Sequence, residues 1–113
     1  MEFKIDNVGT SIPCVRLNGR LDIAGTQAID LKFTANTSAQ RKSVIVDLSG
    51  VDFIASIGIR MLVTNAKALN TTGHKMVLLQ PQQKVEDMLK STGIDTIIPI
   101  ANDLDAAIKI AAE

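Results

Sequence analysis

The sequence predicts an α/β fold, a mixed and mostly parallel sheet carrying about four helices, and three observations point to it. Short β-branched runs such as Val44-Ile45-Val46 alternate along the chain with longer segments of helical periodicity. The first two runs, Phe3 to Ile5 and Ile12 to Leu17, are too close for a crossover, so they form an antiparallel pair. Of the 113 residues 46% are apolar, enough for one real core, and the whole span 1–113 reads as one domain. Aromatic residues make up 3% with no Trp or Tyr, so that core is aliphatic.

The elements follow in the order ββαβαβαβα. Phe3 and Ile5 alternate with Lys4 and Asp6, as in a strand with one wet face. Residues 7–11 form a turn, and Pro13 belongs at the start of the second strand, where no ladder donor is needed. A first helix opens between Asp22 and Thr26 and runs to about Gln40, with Ala28, Leu31 and Ala35 on one face and Ile29 and Phe33 flanking it. Ser43 to Leu48 is the third strand, ended by Ser49-Gly50. Ile59, Leu62, Val63, Ala66 and Leu69 recur at helical spacing, which predicts a second helix over 57–70. Lys75 to Leu79 is the fourth strand. Pro81 opens a third helix with Val85, Met88 and Leu89 inward, and Gly93 stops it. Ile97 to Ile100 is a short last strand, and Asn102 caps a final helix with Asp103 and Asp105 in its first turn.

Charge and cysteine usage bound the function. Twelve basic and twelve acidic residues cancel, so nothing points to nucleic acid or an anionic membrane. The single cysteine, Cys14, excludes an internal disulfide and fits a reducing cytoplasm, where it packs as a small apolar group. The start of the chain lacks an apolar stretch of signal-peptide length, and no run is long enough to span a bilayer. The expectation is a cytoplasmic protein without direct membrane contact. His74 has no second ligand nearby in sequence, and neither a phosphate loop, a zinc spacing nor a nucleophilic triad is present. No cofactor, metal site or catalysis is expected.

The candidate site lies where the third strand feeds the second helix. Ser56 precedes the apolar stripe, where its hydroxyl can cap free N–H groups, and the positive end of the helix there also favours a phosphate. Gly58 costs about 1 kcal/mol relative to alanine in a first helical turn. That cost is tolerated for close approach of another backbone, whether of this fold or of a partner. Ile57 and Met61 fall off the stripe with Arg60 and Thr64, which predicts a partly exposed apolar pair beside the serine. Asp22 reads as a cap for the first helix. Asp52 reads as a solvated turn residue or as part of an acidic group near the serine.

Asp47 to Ile59, D-L-S-G-V-D-F-I-A-S-I-G-I, resembles the signature of STAS domains, the anti-sigma factor antagonists of bacteria, roughly D-L-S-x-V/L-x-F-I/M-D-S-S-G-L/I/V. Leu17 to Asp22, L-N-G-R-L-D, is similar to the L-x-G-x-L-D that ends the family's second strand. The spacing of elements fits over essentially the whole chain. The chain departs from the pattern at Ala55, where an acidic residue is usual, and at Ile57, where a second serine is usual. The resemblance implies a STAS-like fold and a non-enzymatic switch. A partner serine kinase of ATPase-like fold, itself the anti-sigma factor, binds the unmodified protein and phosphorylates Ser56, and a serine phosphatase reverses the step. It also implies that Asp22 lies near Ser56, able to accept its hydroxyl and later repel a phosphate. Helical phase and the resemblance together give an expected partner surface of Asp22, Ser56, Ile57, Gly58, Arg60 and Met61. A second reading is a non-phosphorylated accessory subunit of a membrane transport complex, which Ala55 and Ile57 favour. A phosphoaspartate receiver is set aside, because residues 97–101 offer no lysine after the last strand.

Overall fold

Five strands lie side by side in sequence order in the computed structural model, which describes residues 1–9 and 11–113. They are β1 (Glu2–Val8), β2 (Ile12–Leu21), β3 (Val44–Ile54), β4 (Met76–Leu79) and β5 (Ile100–Ala101). β1 runs antiparallel to β2, and every later pairing is parallel. The four helices are α1 (Ile23–Asn36), α2 (Ser56–Thr71), α3 (Gln83–Ser91) and α4 (Leu104–Ala112). The expected mixed, mostly parallel α/β sheet is therefore present. The turn between β1 and β2 is tighter than expected, since Asn7 and Val8 belong to the ladder. Thr10, within that turn, lies outside the described residues.

Two aliphatic layers sandwich the sheet. Val15, Leu17, Leu21, Val46, Leu48 and Leu78 face α1, α2 and α3 and meet Phe33, Leu62, Leu69 and Leu89. Cys14, Ile45, Val77 and Leu79 face the other way, under Ala107 and Ala111 of α4. Each fully buried Leu, Val or Phe contributes roughly 1.5–3 kcal/mol relative to exposure. No helix is long and apolar enough to cross a membrane among the described residues.

β3 runs six residues past its expected end, because the ladder against β2 resumes at Gly50 and continues to Ile54 rather than ending in a turn. The register slips between Arg16 and Asn18 and again between Gly19 and Arg20. Gly19 absorbs the second slip at φ +126°, a conformation other residues rarely adopt. Asp47 is buried, and its two oxygens accept from the Ser49 N–H at 2.9 Å and the Arg16 guanidinium at 2.7 Å.

Several expectations need correction. α1 buries Thr26, Ile29 and Phe33, not Ala28, Leu31 and Ala35, and Leu31 is 87% exposed. This helix is apolar on more than one side, so periodicity alone does not choose its core face. It ends at Asn36, before a 3-10 turn over Ser38–Gln40. In α3, Met88 points out while Val85 and Leu89 point in, and the helix starts two residues after Pro81. A 3-10 turn takes Ile94–Thr96, which pushes the last strand to Ile100–Ala101, and Asp103 rather than Asn102 caps α4 through the Ala106 N–H at 2.8 Å.

The Thr26 hydroxyl is buried without a hydrogen-bond partner among the described residues. An unsatisfied buried polar group costs about 1–3 kcal/mol, whereas an apolar group of the same shape does not. Thr26→Val should therefore stabilise the fold by about 1 kcal/mol, read as a higher denaturation midpoint at unchanged slope; a lower midpoint would refute the assignment.

Burial also pushes the Cys14 thiol up to about 11 from its ordinary 9.0. Between those values the unfolded chain loses this proton while the folded one keeps it. Stability should then fall as pH rises through that window, and Cys14→Ala should flatten the fall. A denaturation series over pH 8–11 checks this, and identical slopes for both proteins would refute it.

Candidate functional site

The loop between β3 and α2 is pinned from both sides. The Ala55 N–H donates to the Leu21 carbonyl at 2.9 Å, which ties the start of α2 to the end of β2. Gly58, buried in the first turn, packs on the same residue. A Cβ there would sit 3.0 Å from both the Leu21 Cβ and its carbonyl oxygen, and 3.1 Å from Ile54 Cγ1. The glycine is thus explained by close approach within the fold, and it offers no surface to a partner.

Ser56 is exposed at the first position of α2. Ala55, extended at φ −103° and ψ 174°, occupies the capping position and has no oxygen to offer. The expectation that Ser56 caps the helix is corrected: it sits one residue too far in. The first-turn N–H groups have no side-chain cap, and the serine hydroxyl is not engaged in capping.

Ile57 is half-buried and Arg60 is exposed. Met61 is only 4% exposed and belongs to the core, contrary to the expectation of an exposed pair. The buried face of α2 is wider than the stripe implied: Met61 and Asn65 are buried as well as Leu62 and Ala66, and they lie on the side that faces α1. Asn65 is buried there too, accepting from the Ser38 hydroxyl at 2.7 Å and donating to the Met61 carbonyl at 2.9 Å.

Two hollows meet at this corner. One of about 360 Å³ is lined by Ile23, Ala55, Ser56, Ile57 and Arg60. A second of about 330 Å³ runs between α1 and α2 past Thr26, Asp30 and Thr34, and it shares Ile57 and Arg60 with the first. Arg60 has no ion-pair partner among the described residues. Its guanidinium is free to meet an anion over the serine.

Asp22 caps α1, accepting the Gly25 N–H at 2.8 Å, with Arg20 Nε at 3.5 Å. The Gly25 N–H, then Arg20, hold its carboxyl below the usual carboxylate range. The capping expectation for Asp22 holds, whereas no hydrogen bond joins it to Ser56 among the described residues. Asp52 is exposed on β3. No group of three or more His, Cys, Asp or Glu is placed to hold a metal ion among the described residues.

Sequence reasoning missed Ile23 and the Arg20–Phe53 pair. Ile23 is 64% exposed, one turn ahead of the buried 26-29-33 stripe and beyond the end of the sheet. Its place in that phase was the available signal. Arg20 stacks over the Phe53 ring at 4.3 Å, and the two are cross-strand neighbours at the ends of β2 and β3. No local pattern announces that pairing, because the register slips set it.

Comparison with known proteins agrees with this fold. BtrV of Bordetella bronchiseptica, named as a candidate anti-sigma factor antagonist, is 28% identical over 108 residues, covering 95% of this chain and 91% of that protein. The crystal structure of an anti-sigma factor antagonist from Mycobacterium paratuberculosis superposes with a TM-score of 0.86 at 18% identity, covering 99% of this chain and 94% of that one. The Bacillus cell fate determinant SpoIIAA in its phosphorylated form gives 0.71 at 19% identity, covering 96% and 99%. The model of the STAS domain family matches residues 5–107. The chain belongs to the STAS domain family.

Proposed function

We propose that this protein is an anti-sigma factor antagonist whose binding to its partner is switched by phosphorylation of Ser56. The observation that carries the reading is an exposed, non-capping serine at an uncapped helix start, set between an apolar surface and an unpaired arginine. In the unmodified state a partner buries Ile23 and Ile57 around the serine, with Arg60 on the rim. A phosphate brings about two negative charges into the centre of that contact. It recruits Arg60 and the free N–H groups of the first turn, and it makes burial costly. The partner is an anti-sigma factor with serine kinase activity and an ATPase-like fold, a serine phosphatase resets the switch, and the protein itself acts by binding rather than catalysis in the cytoplasm. The relatives' names, and the existence of SpoIIAA in a phosphorylated form, support this reading.

Incubation with the cognate kinase and ATP should place phosphate on Ser56 and none on Ser56→Ala. Label retained by Ser56→Ala would refute the site, and a native chain that stays unlabelled while binding its partner would make it a constitutive subunit.

Ile57→Asp should cost no more than about 1 kcal/mol of stability, because Ile57 is only half-buried and an acidic residue in a first helical turn is favourable. It should weaken partner binding by about 2 kcal/mol, as loss of an interface anchor does. A collapsed melting temperature, or an unchanged affinity, contradicts the docking surface.

Asp22→Ala should cost about 1 kcal/mol of stability, and Asp22→Asn much less, since both Asp and Asn cap. If Asp22 serves only α1, Asp22→Asn keeps full partner affinity; a melt beside a binding titration decides.

A further inference from the structure

β1 forms one edge of the sheet, with β2 on its inner side and no strand on its outer side among the described residues. The opposite edge, β5, is two residues long, so β1 with seven residues is the long open edge. Open edges are commonly blunted by a proline, a bulge or charged side chains, and on β1 the charges Glu2, Lys4 and Asp6 alternate in sign, which lets them complement a second copy. β1 contains no proline, and its ladder with β2 runs without a slip from Glu2–Asn18 to Val8–Ile12. Ile5, at its centre, is 44% exposed.

The charges on this strand are arranged around Ile5. Lys4 and Asp6 project from the same face, one on each side of it. Lys4 sits directly opposite Arg16 of β2, a like charge, and has no ion-pair partner among the described residues. Arg16 is served by Asp6 at 3.2 Å and Asp47 at 2.7 Å.

We propose that β1 pairs antiparallel with β1 of a second copy of this chain, about a two-fold axis through Ile5. In that register the residue numbers of each pair sum to ten. Ile5 meets Ile5, and Lys4 of each copy lies directly across from Asp6 of the other, twice. The unpaired lysine gains a carboxylate, and the exposed isoleucine gains an apolar cross-strand neighbour. Adjacent registers are disfavoured by the same residues. An axis through Lys4 sets Lys4 against Lys4 and Glu2 against Asp6, and an axis through Asp6 sets Asp6 against Asp6. The result is one continuous sheet of ten strands, two times the five of each chain, with the Ser56 corner of each copy at the strand ends, away from the seam.

Sedimentation of the native chain should show a monomer–dimer equilibrium. Lys4→Asp and Asp6→Lys alone place like charges across the seam, and each should sediment as monomer at concentrations where the native chain is dimeric. Mixed one to one, they restore both opposite-charge pairs, and the dimer should return. Lys4 is exposed and Asp6→Lys loses only an exposed ion pair with Arg16, so thermal melts should fall only slightly below the native protein's. If either charge variant fails to fold, Ile5→Asp sets two carboxylates on the axis and should give monomer by itself. A native chain that stays monomeric to millimolar concentration overturns the proposal. So do single variants that dimerise as the native chain does, and so does a mixture that stays monomeric.

Discussion

The contact between the first turn of α2 and the last residue of β2 is the constraint on which the candidate site depends. Leu21 is fully buried, gives its carbonyl to the Ala55 N–H, and fills the space that a Gly58 side chain would need. With no atom to spare between them, the helix start cannot slide along the strand end. Ser56 is therefore displayed on a rigid corner rather than on a loop, outside the C-terminal ends of two parallel strands. Open α/β sheets commonly place their ligands there. Because the corner is rigid, a modification at Ser56 changes charge where a partner docks without needing to move the backbone.

Much of the family signature holds the fold rather than the site. The aspartate of D-L-S, Asp47, is buried and spends its oxygens on Ser49 and Arg16, while Leu48, Val51 and Ile54 are core residues. The glycine of L-x-G-x-L-D, Gly19, takes up a bulge, and its leucines, Leu17 and Leu21, are buried. This is why the pattern reports the architecture. The elements it prescribes are short, strongly apolar and bounded by residues with one conformational use. The residues that give this protein its own surface, Ile23, Ile57 and Arg60, lie between or beside those fixed positions.

What sequence could not resolve has physical reasons. α1 offers apolar side chains at 28, 31 and 35 as well as at 29 and 33, and only packing against β2 and α2 decides that a threonine, not Leu31, goes inside. Met61 lies off the stripe of 59, 62, 63, 66 and 69, yet it is buried on the side of α2 that faces α1, a neighbour that a single-helix projection leaves out. The capping position at α2 fell one residue early because Ala55, with no capping group, turns the chain through its hydrogen bond to Leu21. In each case a contact from a distant segment overrode a local preference.

The central claim is that recognition and its control share the corner around Ser56. The most direct measurement is a backbone amide titration of the labelled chain with its cognate anti-sigma partner, run on the unmodified and the Ser56-phosphorylated protein. The account predicts shifts confined to residues 20–25 and 53–60 in the first titration, and their absence in the second. Shifts centred on α4, or the same shifts in both titrations, would contradict it.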